Sequence, residues 1–442
     1  MRLNYYLAKG TLVGALGGLL FGFDTAVISG TTQQLTEVFH LSPFKLGVTV
    51  SIAVLGAVIG AISSGELGQR IGGREALRIM AALYLVSSIG CAFAWNWPSL
   101  VCFRLLGGLG IGGSSVLGPV YIAELSPAKW RGRLVGLFQI NIVIGILLAY
   151  ASNYLIAIVN SGVTEWRWQL GIASAPALLF LVLLYAIPRS GRWLVTQNRI
   201  DEAREVLRMM GSPNTEEELQ EIIASIHLER SARNEPLFRR KYRLPIFLAV
   251  TIGLFNQLSG INAILYYLPS IFSYAGFSKL SADKQAVLVG AMNLFATLLA
   301  MSVIDKIGRK TLLLIGSVGT AAALAGVAEV FHAQRDQFLL LWLLVGFIFF
   351  FAISQGAVIW VYLSEVFPTK VRAKGQSLGS SAHWIMNALL SLTFPLVAKH
   401  SAAAPFVFFA SMMALQFFIV LTIYPETKGI TLEQMQHKLG ID

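Results

Sequence analysis

Twelve apolar runs constrain this chain more strongly than any other feature of its sequence. Each is close to the roughly 20 residues that a helix needs to cross the hydrocarbon core of a bilayer. Their approximate limits are 10–30, 44–65, 76–95, 98–123, 134–158, 167–188, 244–270, 285–304, 311–331, 338–364, 376–397 and 403–424. Runs of this length predict an all-α membrane protein with about twelve transmembrane helices.

The composition supports the same class. Of the 442 residues, 55% are hydrophobic and 13% are charged, whereas soluble domains carry about 25% charged residues. The net charge of +11 fits basic loops beside a membrane, so we predict no nucleic-acid partner. Cys91, Cys102 and the scattered histidines have neither disulfide nor metal-ligand spacing. We therefore predict no metal and no cofactor.

Basic residues cluster in alternate loops and indicate the orientation of the chain. The clusters are Arg70, Arg74 and Arg78; Lys129, Arg131 and Arg133; Lys306, Arg309 and Lys310; and Lys370, Arg372 and Lys374. Basic loops stay on the cytoplasmic side. We therefore predict a multi-pass protein of a cell membrane, a bacterial inner membrane, with both termini in the cytoplasm.

The order of the runs predicts the domains. Residues 1–188 and 243–425 each hold six runs, residues 189–242 form a charged cytoplasmic stretch with short helices, and residues 426–442 form a cytoplasmic tail. The two halves share the spacing E-x-x-P-x-x-x-R-x-(R/K), which begins at Glu124 and again at Glu365. They also share the tripeptides Arg70-Ile71-Gly72 and Lys306-Ile307-Gly308. The repeat predicts two pseudo-symmetric six-helix bundles.

The seventh run carries uncharged polar residues at membrane depth. These are Asn256, Gln257, Ser259, Asn262, Tyr266 and Tyr267. An unsatisfied polar group there costs several kcal/mol, so each residue needs a partner. One reading is a polar seam between helices; the clustering favours a site for an uncharged, polyhydroxylated solute. Gly260 and Pro269 predict that the helix unwinds locally, which frees backbone groups.

Two opposite charges lie deep in the first half, Asp24 in the first run and Arg104 in the fourth. Each costs about 2.5–3.5 kcal/mol at a helix centre. A static buried ion pair would explain them, and so would a proton carrier in which an ionised Asp24 holds Arg104 until it is protonated. We favour the proton carrier.

The acidic residues of the repeated loops lie beside basic ones. We predict cytoplasmic gating ion pairs between Glu124 and Arg131 and between Glu365 and Arg372. Basic residues of the loops after the second and eighth runs, Arg70, Arg74 and Arg309, are candidates for the same role. The alternative is that these charges set topology alone.

The loop motifs, with Gln257-Leu258-Ser259-Gly260-Ile261-Asn262 and Pro425-Glu426-Thr427-Lys428-Gly429, resemble the sugar porter family of the major facilitator superfamily. Residues 21–30 resemble the first-span motif of that family's bacterial proton–sugar symporters. The resemblance covers essentially the whole chain. It implies the major facilitator fold, and a sugar-binding role for Asn293, Trp360 and Trp384 beside Gln257 and Asn262.

Phe21, Tyr266 and His383 complete the predicted lining, with the aromatic rings stacking on a pyranose. The sequence departs from the family pattern at Gln69, Gly73, Ile146, Ala173, Asn256, Ala357 and His383. Ile146 stands at a common glutamine, Ala173 at a glutamate of some proton symporters, and Ala357 at a proline.

These observations predict proton-coupled import of a monosaccharide, a hexose such as glucose or a related pentose, by alternating access. The alternatives are a facilitative uniporter, which only Asp24 opposes, and a non-transporting sugar sensor. No nucleophile–base pair is visible at membrane depth, so we predict no enzyme. The expected partners are the sugar, the proton and the lipid bilayer, with a monomer as the functional unit.

Overall fold

A computed structural model describes residues 5–127, 130–159, 162–212, 214–232, 236–333, 337–368, 371–430 and 432–441. The side chains of residues 131, 227–232, 337 and 432–433 are outside this description. Within these ranges all regular secondary structure is helical. The described residues contain 12 helical segments long and apolar enough to span a membrane.

The first six spans are α1 (Tyr5–Phe39), α2 (Pro43–Ile71), α3 (Gly73–Ala92), α4 (Trp97–Leu125), α5 (Arg131–Val159), and the pair α6 (Glu165–Gly171) and α7 (Ser174–Leu183). Four of these six spans, α1, α2, α4 and α5, are longer than the apolar runs that predict them. The start of α4 shows how local sequence sets a boundary. The Asn96 side chain accepts a hydrogen bond from the Ser99 backbone amide at 2.9 Å, and the Ser99 hydroxyl accepts one from the Asn96 backbone amide. Together they form a capping box.

The charged stretch between the halves is helical as predicted. It contains α8 (Gly191–Thr196), α9 (Ile200–Met209) and α10 (Thr215–Ala232). Gly211 follows α9 at a φ of 80°, a left-handed conformation that glycine adopts without steric cost.

The second half of the chain also contains six spans. Its spans are α11 (Arg243–Leu258) with α12 (Ile261–Tyr274), α13 (Lys279–Ile307), α14 (Arg309–Ala333), α15 (Gln337–Phe351) with α16 (Ala357–Glu365), α17 (Arg372–His400) and α18 (Ala404–Ile423); α19 (Leu432–Lys438) follows them. A π-helical segment, Ala352–Gly356, joins α15 to α16. Such segments occur frequently at functional sites.

The chain divides into two compact units. Unit 1 comprises Met1–Val27, Ile52–Ser152 and Thr164–Asn234, and unit 2 comprises Ile28–Ser51, Asn153–Val163 and Glu235–Asp442. These limits do not coincide with the predicted boundaries at 188, 242 and 425, which remain predictions.

Gly108 and Gly112 form a glycine stripe on α4 at a close helix contact within unit 1. A Cβ atom on Gly108 would lie 2.1 Å from the Ala53 carbonyl oxygen, and one on Gly112 would lie 2.0 Å from that of Ala57. On another face of α4, a Cβ on Gly107 would lie 2.4 Å from the Ser87 Oγ. The absence of side chains at these positions therefore lets the α2 backbone and the Ser87 side chain of α3 approach α4 closely.

Unit 2 includes ends of first-half helices that pack against second-half helices. The hydroxyls of Thr32 on α1 and Ser270 on α12 are 3.0 Å apart. A Cβ on Gly47 of α2 would lie 2.3 Å from the Leu392 carbonyl oxygen on α17. Within this unit, helices from both halves of the sequence are therefore in direct contact.

Candidate solute site and buried ion pair

The seventh span is broken where its sequence predicts local unwinding. Helix α11 ends at Leu258, and Gly260 adopts a φ of 82° before α12 begins at Ile261. A Cβ at Gly260 would lie 2.3 Å from the Phe409 ring, so both the backbone angle and the packing require glycine. The break places the polar residues before and after Gly260 on different helical segments.

Three amides form a chain across this break. The Gln257 Nε2 donates to the Asn256 Oδ1 at 3.1 Å, and the Asn262 Nδ2 donates to the Gln257 Oε1 at 3.1 Å. The Asn256 Nδ2 donates to the Gln355 carbonyl oxygen in the π-helical segment at 3.4 Å. Asn256 and Gln257 are buried, whereas Asn262 is half-buried. These bonds fix the amides while leaving further donors and acceptors available to a solute.

His383 on α17 joins the amide chain to the predicted aromatic residues. Its ring nitrogens lie 3.3 and 3.4 Å from the Gln257 Nε2. Because that amide nitrogen is a donor in the chain above, an unprotonated imidazole nitrogen must face it. The ring centroids of Trp360 and Trp384 each lie 5.3 Å from that of His383.

Trp360 is 41% exposed while Trp384 is 8% exposed, so Trp360 is the indole better placed to meet a solute. Tyr266 and Asn293 are buried, and the Tyr266 hydroxyl accepts from the Asn387 Nδ2 at 3.4 Å. Phe21 is half-buried and belongs to unit 1.

Sequence reasoning missed two members of this region, Asn387 and Gln355. Asn387 lies four residues after His383 and so shares its helical face, a spacing that could have identified it. Gln355 enters through the π-helical segment, for which the sequence carries no periodic signal. Ser259, one of the polar residues of the seventh run, bonds locally, because its hydroxyl donates to the Asn256 carbonyl oxygen at 2.7 Å.

The predicted sugar residues Asn256, Gln257, Asn262 and His383 form one connected network with Trp360 and Trp384 beside it. All of these groups are uncharged when the imidazole is neutral. Amide donors and acceptors beside exposed indole surface are the chemistry that recognises hydroxyls on one face of a solute and C–H groups on the other. Among the described residues no cluster of side chains fits a metal ion.

The two buried charges of unit 1 meet. The Arg104 guanidinium lies 3.5 Å from the Asp24 carboxylate, and the side chains are 4% and 19% exposed. Arg104 belongs to the face of α4 next to the glycine stripe. Near Asp24 on α1, a Cβ on Gly22 would lie 1.8 Å from the Ile142 carbonyl oxygen, so α1 packs closely against α5 there. The separation exceeds the 2.7–2.9 Å of a tight charge-assisted bond, so the pair is close but loosely held.

The basic-loop end of unit 1 is organised around Glu75. Its carboxylate pairs with Arg74 and Arg78 at 2.6 Å each and with Arg189 at 3.5 Å. Arg70 pairs with Glu66 on the surface, where the side chains are 74% and 70% exposed. Glu124 is half-buried at the end of α4, and its proposed partner Arg131 has its side chain outside the described part of the chain.

The basic-loop end of unit 2 is organised around Glu365. Its carboxylate accepts from Arg309 at 2.9 Å and from the Thr427 hydroxyl at 2.6 Å. The predicted partner Arg372 donates its Nε to the Phe367 carbonyl oxygen at 3.4 Å. The structure therefore adds a pairing with Arg309 that spacing along the sequence does not indicate, because α14 brings Arg309 from 56 residues away.

Twelve membrane-length helical segments among the described residues, with a neutral polar network in unit 2, are the features of a polytopic membrane transporter. The model of the family described as Sugar (and other) transporter matches residues 10–439, and the chain belongs to that family. This confirms the predicted sugar porter relationship and the predicted fold, and it assigns the chain to transporters rather than enzymes.

Named relatives cover nearly the whole chain. The D-xylose-proton symporter of Escherichia coli is 37% identical over 98% of this chain and 95% of its own length. The arabinose-proton symporter of Bacillus subtilis is 35% identical over 95% of this chain and 92% of its own. The glucose transport protein of a Synechocystis strain is 36% identical over 96% of this chain and 95% of its own.

Solved structures of the xylose transporter XylE from E. coli are similar throughout. A partially occluded inward-open form has a TM-score of 0.86 at 35% identity, with 97% of this chain and 100% of that chain covered. The proton:xylose symporter XylE bound to 6-bromo-6-deoxy-D-glucose has a TM-score of 0.79 at 36% identity, with 98% and 99% covered.

Proposed function

We propose that this protein imports a monosaccharide together with protons by alternating access. The observation that carries the proposal is the contact between Asp24 and Arg104 at 3.5 Å. A proton that binds the carboxylate removes the negative partner of Arg104 and changes how α1 and α4 attract each other. A carboxylate with this partner couples proton binding to a conformational equilibrium.

The solute is a monosaccharide in this proposal. The network of Asn256, Gln257, Asn262 and His383 offers neutral hydrogen-bonding groups, and Trp360 offers an exposed ring face. Relatives of similar identity carry the names of xylose, arabinose and glucose transporters, so the proposal covers pentoses and hexoses. Asn293, Tyr266, Trp384 and Phe21 belong to the proposed lining.

Counterflow in proteoliposomes tests the solute class. Vesicles preloaded with unlabelled D-xylose, L-arabinose or D-glucose should accumulate the labelled form of the same sugar, while a charged sugar acid should give no counterflow. Counterflow needs no proton gradient, so it separates transport from coupling. Absence of counterflow with every neutral monosaccharide would contradict the proposed substrate class.

The proposed orientation places both termini and the basic-loop ends in the cytoplasm of a bacterial inner membrane. A cysteine replacing half-buried Ser281 is then reachable from outside, whereas one replacing exposed Gln220 is reachable from inside. Cys102 is exposed and Cys91 is buried, so the labelling belongs in a Cys102→Ser background. Labelling of both introduced cysteines from one side would contradict this orientation.

The proposal also includes the gates and the functional unit. The proposed gates are contacts that break as the protein changes conformation. They are the Glu365–Arg309 pair, the Glu75 cluster with Arg74, and contacts in the loops of Glu124 and Arg372. Exposed apolar side chains on α7, such as Leu178, Leu179 and Val182, fit contact with lipid. The proposed functional unit is a monomer in the bilayer.

A further inference from the structure

Tyr84 on α3 is a buried polar residue that the proposed sugar and proton sites leave unexplained. It is 2% exposed, and its hydroxyl has no hydrogen-bond partner among the described residues. Buried tyrosines ordinarily bond their hydroxyl, because an unsatisfied buried polar group costs about 1–3 kcal/mol. A phenylalanine would fill the same space without that cost, so packing alone does not explain the hydroxyl.

The packing of α3 on α4 places Tyr84 beside the ion pair. Ser87, one turn further along α3, donates to the carbonyl oxygen of Phe103 at 2.6 Å, and Phe103 directly precedes Arg104. A Cβ on Gly107, one turn beyond Arg104, would lie 3.8 Å from the Tyr84 ring. Tyr84 also interacts electrostatically with both Asp24 and Arg104.

The other ionisable groups around Tyr84 are few. Cys91 on α3 interacts electrostatically with Asp24 and Arg104. Helix α7, which packs on α3, carries no ionisable side chain. The helical turn Leu184–Ala186, which also packs on α3, carries Tyr185, whose ring centroid lies 4.0 Å from the Arg78 guanidinium. Helix α6 carries Arg167, which donates to the Ala92 carbonyl oxygen at the end of α3, and Glu165, which accepts from Gln169. Asp24 and Arg104 are therefore the charged groups with which the Tyr84 hydroxyl can interact.

We propose that Tyr84 is the alternative partner of Arg104, accepting a hydrogen bond from the guanidinium when Asp24 binds its proton. This inference rests on the proposed proton coupling. The proton binds the Asp24 carboxylate, Arg104 keeps its own protons and charge, and the guanidinium turns to the Tyr84 oxygen. Tyr84 is thus a positioning residue that acts through Arg104.

The unsatisfied hydroxyl is what this arrangement requires. In the paired state the Tyr84 oxygen is unbonded, whereas in the protonated state it is bonded to a charged donor. A group that is satisfied in only one of two states favours that state. Tyr84 therefore favours protonation of Asp24 without contacting the proton itself.

Tyr84→Phe tests the proposal through the pH dependence of uptake. A hydrogen bond to a charged group contributes about 1.5–3 kcal/mol, and one pH unit corresponds to about 1.4 kcal/mol. The variant should therefore need a proton concentration about ten- to a hundredfold higher, and its half-maximal pH for proton-driven uptake should move to acid by about one to two units. Its melting temperature should stay the same or rise, because an unsatisfied hydroxyl is removed.

Tyr121→Phe is the matched control. Tyr121 is also fully buried in unit 1, but its hydroxyl donates to the Pro188 carbonyl oxygen at 2.7 Å. Its loss should lower the melting temperature and leave the pH midpoint where it is. A residue with a purely structural role shows this second pattern, so the two variants separate positioning from packing.

The outcomes distinguish this inference from the proposed function. If Asp24→Asn still accumulates sugar, proton coupling through Asp24 is wrong. If Asp24→Asn loses accumulation but Tyr84→Phe keeps the wild-type pH midpoint, only the role of Tyr84 is wrong. A shift of the Tyr84→Phe midpoint to alkaline pH also overturns it, because it would mean that the hydroxyl stabilises ionised Asp24. Counterflow by each variant verifies that it is folded.

Discussion

The two halves of the chain place polar groups at membrane depth in opposite ways. The first half holds a charged pair, Asp24 and Arg104, between helices that glycines bring to backbone contact. The second half holds a neutral network around Gln257 at a helix break. A charged pair responds to a proton, whereas neutral amides respond to hydroxyls. The difference indicates that each half serves one of the two proposed substrates.

Asp24→Asn should produce the largest effect. One proton moving down about 100 mV supplies about 2.3 kcal/mol, which corresponds to roughly 50-fold sugar accumulation. The variant has no removable proton at this position, so accumulation in energised vesicles should fall to the equilibrium level while counterflow persists. Glu66→Gln is the control, since that acid lies in an exposed pair and its loss should leave accumulation intact.

Gln257→Ala should break the second half of the comparison. Its amide bonds Asn256, Asn262 and His383, so truncation leaves these groups and the sugar hydroxyls with missing partners. We expect sugar affinity to fall by roughly 5- to 150-fold, from about 1–3 kcal/mol per unpaired group. Equilibrium sugar binding measures this.

Gln416→Leu is the matched control for Gln257→Ala. Gln416 is a buried glutamine of the same unit whose Oε1 has no hydrogen-bond partner among the described residues. Its replacement should leave sugar affinity unchanged. Equal losses in both variants would mean that the affinity follows general packing rather than the amide network.

Glu365→Gln should have a smaller effect, on stability and gating. Arg309 is 10% exposed and Glu365 is 27% exposed, so the change weakens a largely buried pair and should lower stability by about 1–3 kcal/mol. Glu66→Gln affects a pair exposed by 70% or more on both sides and should cost about 0–1 kcal/mol. Thermal unfolding in detergent measures both, and equal shifts would remove the distinction between the two pairs.

Glu426 should give the smallest effect, visible only in acid. Burial raises the pKa of its carboxyl, but hydrogen bonds from the backbone amides of Lys428, Arg309, Lys310 and Thr427 outweigh burial and lower that pKa below its ordinary value of 4.5. Two of these amides, those of Arg309 and Lys310, lie at the start of α14, where a carboxylate also interacts favourably with the helix dipole. A lowered pKa adds stability that is present above pH 4.5 and is lost as the pH falls through the folded-state pKa.

The melting temperature of the wild type should therefore fall more steeply below about pH 4.5 than that of Glu426→Gln. Glu221→Gln, which changes an exposed acid on α10, should follow the wild-type curve. Parallel curves for the wild type and Glu426→Gln would contradict the role of this carboxylate at the start of α14.

Much of this arrangement follows from the sequence. Apolar length predicts the spans, Gly260 predicts the helix break, and the rarity of charge in the spans singles out Asp24 and Arg104, which the structure brings within 3.5 Å. What the sequence does not reveal depends on how helices approach one another. Glu365 bonds Arg309 across 56 residues, and Gln355 enters the amide network through a π-helical segment, and neither leaves a periodic pattern.

The most direct test of the division between the halves is sugar-driven proton uptake by the wild-type protein. Proteoliposomes without an initial gradient receive a monosaccharide that supports counterflow, and a pH electrode follows the medium. Proton–sugar symport predicts alkalinisation of the medium as sugar enters, and no change with Asp24→Asn or with a protonophore present. Wild-type counterflow without any alkalinisation would contradict the account and identify a uniporter in which the Asp24–Arg104 pair is structural.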